Sequence, residues 1–140
     1  MTTNPSPTPV VTCFLESEGK ILLLQRSEQV SSYRGKWAGV SGYLESEPDK
    51  QALTEIVEET GLQPPDISLV KKGKPVLIND KETGARWLVH PYLFHVADRS
   101  KIKIDWEHKS ARWLAPAEMK RYATVPGLDK ALAVVNDSTD

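Results

Sequence analysis

Short apolar runs separated by polar, turn-rich breaks fill most of this chain, and the alternation predicts a mixture of strands and helices. The first two runs, residues 10–15 and 20–26, are separated by ESEG, whose Gly19 suits a hairpin turn. This arrangement predicts an antiparallel pair near the N-terminus. Further segments are strand-like over residues 67–77, 86–96 and both ends of 102–114, and helical from Pro116 and over 127–135.

Another helix is predicted over residues 48–60, because apolar side chains recur there with the spacing of one helical face. Ser46 and Asp49 resemble a capping box, and Pro48 is tolerated in a first turn. Gly61, followed by two prolines, is expected to end the helix. The apolar stripe consists of Ala52, Leu53, Ile56, Val57 and Thr60.

Composition limits the classes of protein that this chain fits. It has 140 residues, 39% of them hydrophobic, which predicts one domain over residues 9–136 with short tails at 1–8 and 137–140. Lys and Arg total 18 against 19 for Asp and Glu, so no basic field favours nucleic acid or a membrane as partner. Cys13 is the only cysteine, which excludes an internal disulfide and favours the cytoplasm.

Acidic residues are concentrated on the helix predicted over residues 48–60. Glu55, Glu58 and Glu59 share an arc opposite the apolar stripe, and residues 51–70 contain no Lys or Arg to balance them. The like-charge spacing of Glu55 and Glu59 costs about 0.2–0.5 kcal/mol. A solvated helix face is one explanation of this pattern. A magnesium site is the other, because hard divalent cations prefer carboxylate oxygens.

These acids belong to a longer motif. Gly42, Glu47 and the run TEIVEETGL at residues 54–62 resemble the Nudix box, in which a glycine and a glutamate precede R-E-U-x-E-E-x-G-U with U apolar. The flanking segments GKILLLQRS, YRGKWAGVSG and ARWLAPAEM also resemble parts of that family. The resemblance covers most of residues 9–136 and implies an α+β fold, a Nudix-type α/β/α sandwich with a central mixed β-sheet.

For function, the resemblance implies metal-dependent hydrolysis of a nucleoside diphosphate linked to another moiety, with Mg²⁺ or Mn²⁺ as cofactor. In the family pattern the carbonyl matching Gly42 and the glutamates matching Glu58 and Glu59 hold metal. The glutamate matching Glu55 binds metal or serves as the catalytic base. Glu107, in a late loop, is a candidate for a further metal ligand, and a solvated loop acid explains it equally well.

Two departures from the box affect this expectation. Thr54 stands where the family usually has an arginine that orients the catalytic glutamate through a salt bridge. The stretch from Gly42 to Glu55 is also two residues shorter than the pattern, so Glu47 matches the first box glutamate only across gaps. We therefore expect slow turnover, unless a Lys or Arg from outside the helix approaches Glu55. The alternative function is a catalytically weakened Nudix-fold module that senses nucleotides or binds proteins.

Basic residues flank the polar loop that follows the second strand-like run. Arg26, Arg34 and Lys36 are candidates for binding substrate phosphates, since the planar guanidinium of arginine matches phosphate oxygens. Ordinary surface charge explains them equally well. The expected partner is a small nucleotide, and the sequence leaves a homodimer open.

Aromatic and histidine side chains supply further candidates. Trp37, Trp87 and Tyr92 have the chemistry to stack on a nucleobase, although anchoring of the sheet is the favoured explanation. His108 adjoins Glu107 and is a candidate base or phosphate donor, although a lone loop histidine more often has neither role.

Overall fold

The computed structural model describes residues 6–136, and of the two predicted tails it therefore includes positions 6–8 alone. Along the described part of the chain, two groups of four strands are each followed by an α-helix. The strands are β1 (Thr8–Ser17), β2 (Lys20–Arg26), β3 (Trp37–Ala38), β4 (Val40–Tyr43), β5 (Ile67–Lys72), β6 (Val76–Asn79), β7 (Arg86–Val96) and β8 (His108–Leu114). The helices are α1 (Pro48–Thr60) and α2 (Leu128–Val135), with 3₁₀ turns at Pro64–Asp66, Arg99–Lys101 and Pro116–Arg121.

All of these strands join in one 8-stranded sheet. Its main path is β3–β2–β1–β7–β5, while β4 pairs with β1, β6 with β7 and β8 with β2. β1 and β7 are parallel, and the remaining pairs are antiparallel. The α+β fold with a central mixed sheet and flanking helices, expected from the resemblance, is confirmed.

Each face of the sheet packs against one helix. Successive side chains of a strand point to opposite faces, so Cys13 joins the apolar cluster under α1 while Phe14 joins the cluster under α2. Ile56 of α1 and Leu132 of α2 are buried in these two clusters. Residues 11–15 are all buried, as expected for a central strand covered on both faces.

The predicted N-terminal hairpin is present. Ser17 pairs with Lys20 and Glu16 with Ile21, so two residues form the turn. Both turn residues have positive φ angles, 53° at Glu18 and 78° at Gly19. Positive φ at both positions is the requirement of the tight turn that matches the twist of a hairpin.

Three predicted elements differ from the structure. The run at residues 67–77 is broken into β5 and β6 at residues 73–75, since Pro75 has no N–H to donate to a ladder. The segment 102–114 was expected to form a strand at each end, and it forms one only at its C-terminal end, as β8. The helix expected from Pro116 is a 3₁₀ turn. Among the described residues, no helix is both long and apolar enough to cross a bilayer.

The helix that carries the acids begins and ends close to its predicted bounds. Gly61 adopts the left-handed conformation, with φ of 76°, and ends α1 as expected. The predicted capping box is wrong, because Glu47 is the N-cap and makes no side-chain capping bond. Gly42 lies in β4 and pairs with Val11 rather than forming a turn. This pairing places the Gly42 backbone directly beside α1.

Candidate functional site

A cleft of about 320 Å³ opens beside α1. The loop after β2, the loop before β8 and the start of α2 form its other walls. The cleft lining combines acidic with apolar and aromatic residues, and Arg26 is a basic residue at its wall. The acidic residues are Glu45, Glu55, Glu58 and Glu107, which lie in the lining together with Gly42. The apolar and aromatic residues include Tyr33, Tyr43, Trp87, Val89, Val125 and Leu128.

Glu55 and Glu59 lie one helical turn apart on α1 and interact through their carboxyl groups. Glu59 is 2% exposed, and burial raises its pKa well above the usual value, with a further rise from its hydrogen bond to Glu55. Two carboxyl groups hydrogen-bond only when one carries a proton. A proton on one of the two carboxyl groups would remove the like-charge repulsion expected from their spacing.

The surroundings of Glu59 leave one of its oxygens without a donor. Oε1 accepts a long hydrogen bond from the Ser41 N–H at 3.4 Å and lies 3.7 Å from His108 Nε2. Oε2 is buried and has no hydrogen-bond partner, the single such side-chain atom within residues 6–136. An unpaired buried carboxyl oxygen costs free energy unless a proton or a cation meets it.

His108 is placed behind Glu59 rather than in the open cleft. It is 7% exposed, and its Nδ1 lies 3.0 Å from Asp105 Oδ1 while Nε2 faces Glu59. Burial lowers the pKa of His108, although Asp105 acts in the opposite direction. The imidazole therefore lies between two carboxyl groups, hydrogen-bonded to Asp105 and within 3.7 Å of Glu59.

Glu55 is held closely between a strand and its own helix. Its Oε2 accepts a hydrogen bond from Gln51 Nε2 at 2.7 Å, and burial raises its pKa. A Cβ atom placed on Gly42 would lie 2.2 Å from the Glu55 carboxyl carbon. Only glycine leaves room for this carboxyl group against β4, so the requirement at position 42 is spatial.

The remaining predicted acids divide between the cleft and the surface. Glu58 and Glu107 line the cleft, and burial together with the neighbouring Asp105 raises the pKa of Glu107. Glu47 is exposed at the start of α1 and is absent from the cleft lining. Glu45, which sequence reasoning missed, lines the cleft instead. The sequence signal for Glu45 was the shortened stretch before α1. A shorter stretch changes which of its acidic residues reaches the cleft.

The predicted basic residues are also separated. Arg26 lines the cleft, and its Nε donates to the Ser32 carbonyl at 2.9 Å, which fixes the guanidinium at the wall. Arg34 and Lys36 are exposed and are absent from the cleft lining. Arg34 Nε donates to the Val30 carbonyl at 2.7 Å within its own loop.

Of the three predicted aromatic candidates, Trp87 faces the cleft. Its Nε1 donates to the Tyr33 hydroxyl at 3.2 Å, and that hydroxyl donates to Asp80 at 2.7 Å. Trp37 packs edge-on against Tyr122, with ring centroids 5.2 Å apart. Tyr92 is 1% exposed in the core. The last two side chains anchor the sheet.

The metal site expected from Glu55, Glu58 and Glu59 stays a prediction. Within residues 6–136 no group of three or more His, Cys, Asp or Glu side chains forms a preformed cluster. The Glu55 carboxyl group raises the pKa of the buried Glu59, while Glu58 is exposed. The buried, unpaired Oε2 of Glu59 and the all-oxygen donor set of these acids fit a hard divalent cation.

Comparisons with known proteins agree with the fold and the motif. The sequence model of one family, described as the NUDIX domain, matches residues 6–135. The chain is 33% identical over 119 residues to a CTP pyrophosphohydrolase of Escherichia coli K12, covering 84% of this chain and 82% of that protein.

Solved structures with the same fold have lower sequence identity. A NUDIX hydrolase from Nitrosomonas europaea superposes with a TM-score of 0.74 at 18% identity, covering 94% of this chain and 89% of that one. A MutT NUDIX hydrolase from Burkholderia pseudomallei superposes with a TM-score of 0.72 at 21% identity, covering 94% and 99%. At these identities the likeness shows the fold.

Proposed function

This chain belongs to the Nudix hydrolase family, and we propose that it is a Mg²⁺- or Mn²⁺-dependent pyrophosphohydrolase acting on a nucleoside diphosphate linked to another moiety. The observation that carries the proposal is the half-buried Glu55, which lines a cleft of carboxylates and aromatic rings and is backed by the buried Glu59. Such a cleft suits a ligand with charged phosphates at one end and a flat base at the other.

In this proposal the Gly42 carbonyl, Glu55, Glu58, Glu59 and Glu107 hold the cation. When bound, the cation neutralises charge on the pyrophosphate oxygens and lowers the pKa of a coordinated water. These residues either line the cleft or lie directly behind it, which supports the assignment.

The chemical step proposed for the chain's own residues is a proton transfer. Water attacks one phosphorus of the pyrophosphate, the bond to the bridging oxygen breaks, and Glu55 accepts the proton from the water. A raised pKa suits a carboxylate to this role, because a base works best when its pKa approaches the working pH. Arg26, fixed at the cleft wall, binds phosphate oxygens.

The aromatic residues of the cleft form the proposed base site. Trp87 and Tyr43 lie with their ring centroids 6.3 Å apart, and Tyr43 is 58% exposed, so part of its ring is open to a ligand. The hydrogen bonds from Trp87 to Tyr33 and from Tyr33 to Asp80 hold this wall in place. The relative of 33% identity is named for CTP, which makes CTP the first substrate to test.

Gly42→Ala is expected to lower kcat on the order of 100-fold, because the new Cβ would displace the Glu55 carboxyl group. The displaced atoms are the end of a side chain, so the protein should still fold. We would measure kcat together with the melting temperature. A variant with the kcat of the wild type would show that the position of Glu55 beside Gly42 does not matter.

Trp87→Ala is expected to raise KM for the nucleotide about 10-fold, since stacking of a base on an aromatic ring contributes about 1–3 kcal/mol. Trp87→Phe keeps a ring at the same place and serves as the matched control, with KM close to that of the wild type. Equal KM values for the wild type and Trp87→Ala, at unchanged melting temperature, would place the base elsewhere.

The alternative proposal is a Nudix-fold module that binds nucleotides or proteins with little catalysis. Thr54, which replaces the usual arginine, is the observation that favours it. Its hydroxyl donates to the Lys50 carbonyl at 3.0 Å and its side chain is exposed. An enzyme converts the nucleotide to product in the presence of Mg²⁺, whereas a sensor binds it unchanged. Measuring product formation and nucleotide binding on the same samples therefore separates the two.

A further inference from the structure

Gln51 is a buried amide that joins the turn before α1 to Glu55. It is 4% exposed. Its Oε1 accepts from the Glu45 backbone N–H at 3.0 Å and from the Ser46 hydroxyl at 3.1 Å, and its Nε2 donates to Glu55 Oε2 at 2.7 Å. Both ends of the amide are therefore engaged.

These partners determine which way the amide points. A backbone N–H can only donate, so the atom of Gln51 facing Glu45 must be the carbonyl oxygen. The NH₂ group is then left to face Glu55, whose carboxylate can only accept. The orientation follows from the chemistry of the neighbours and does not depend on how the amide atoms are assigned.

The same contacts explain how the chain manages without the arginine of the box. The sequence led us to expect a Lys or Arg from another element, or a Glu55 turned away from the cleft. The structure instead gives Glu55 a neutral partner one turn earlier on the same helix. The shortened turn supplies the anchors for that partner, because Glu45 and Ser46 meet Gln51.

We propose that Gln51 is the positioning residue for Glu55, holding its carboxylate toward the cleft where the family uses an arginine, an inference that rests on the proposed hydrolysis. A hydrogen bond to an ionised carboxylate is short and about twice as strong as a neutral one. Because two further hydrogen bonds already hold the Gln51 amide, it loses little conformational freedom when it donates to Glu55. The donation also favours the ionised form of Glu55, in opposition to burial.

Two substitutions separate this role from simple support of the turn. Gln51→Glu keeps an oxygen for Glu45 and Ser46 but has no N–H for Glu55, while Gln51→Met loses both functions at similar length. If Gln51 positions Glu55, both variants should lower kcat for CTP about 10- to 100-fold, with KM changed less than about 3-fold. If it only supports the turn, Gln51→Met should lower the melting temperature while the folded protein keeps the kcat of the wild type, and the proposal is overturned.

Thr54→Ala is the matched control on the same helix, because Thr54 is exposed and lies outside the cleft lining. Its kcat should equal that of the wild type. Melting temperatures of all variants are measured alongside, and a loss of kcat in the neutral variant Gln51→Met, assayed well below its melting temperature, supports the positioning role.

A second readout does not depend on turnover. In the ¹H–¹⁵N NMR spectrum of the metal-free protein, the Gln51 side-chain NH₂ should show one proton shifted downfield by the bond to Glu55. That shift should disappear in Glu55→Ala, which has no side-chain acceptor, and persist in Thr54→Ala. An unchanged Gln51 resonance in Glu55→Ala overturns the proposal. A wild type that shows the shift but cleaves no nucleotide would contradict the proposed function while leaving the contact established.

Discussion

Glu55→Gln is expected to lower kcat by about 10²- to 10⁴-fold, the contribution typical of a positioned general base. Glutamine has nearly the same shape, and its carbonyl oxygen still accepts from Gln51, so the fold should persist. What the variant loses is the ability to take a proton from the attacking water. Steady-state kinetics with a saturating nucleotide and Mg²⁺ measure the effect.

Glu47→Gln is the charge-matched control for this experiment. Glu47 is exposed at the start of α1, outside the cleft lining, so its neutralisation should leave kcat within about 2-fold of the wild type. The opposite pattern, with a large loss in Glu47→Gln and little in Glu55→Gln, would transfer the catalytic role to the turn before the helix.

Mg²⁺ is expected to stabilise the wild type, and Glu59→Gln is expected to abolish that gain. A ligand at 100 times its Kd adds about 2.7 kcal/mol to the free energy of unfolding. For a domain of this size that corresponds to a rise in Tm of roughly 5–10 °C. We expect Tm to rise because Oε2 of Glu59, which is buried without a hydrogen-bond partner, would contact the cation.

The comparison requires Tm values with Mg²⁺ and with a chelator for four proteins: the wild type, Glu47→Gln, Glu58→Gln and Glu59→Gln. Without metal, Glu59→Gln should melt at or above the wild type, because it removes a buried carboxyl group that is costly to ionise. Both variants should lose the Mg²⁺-dependent rise, whereas Glu47→Gln should keep it. An equal rise in all four proteins would remove the metal assignment.

The sequence predicted most of the elements because their signals are local. The hairpin follows from Gly19, and the end of α1 follows from Gly61, since both positions need a positive φ. The break between β5 and β6 was missed because the apolar pattern continues on both sides of residues 73–75. The false capping box at Ser46 arose because its hydroxyl bonds to Gln51 instead.

The sequence predicts the residues of the candidate site whose positions follow from helical spacing. It does not predict those whose positions depend on the loops. Spacing alone brings Glu55 and Glu59 to one face, where the Glu55 carboxyl group adds to the rise in the pKa of Glu59. Which loop residues face the cleft depends on the path of the loop, so Arg26 and Arg34 could not be separated in advance. Gln51 carried no signal, because a neutral amide in an amphipathic helix has many ordinary explanations.

The measurement that tests the central claim most directly is an assay of product formation over a panel of nucleotides, beginning with CTP, with Mg²⁺ and with a chelator. Phosphorus NMR identifies the products. We expect the wild type to convert at least one nucleotide to a nucleoside monophosphate in the presence of Mg²⁺, with the activity lost in the chelator and in Glu55→Gln. Binding of nucleotides with no product from any of them would contradict the hydrolase and favour the sensing module.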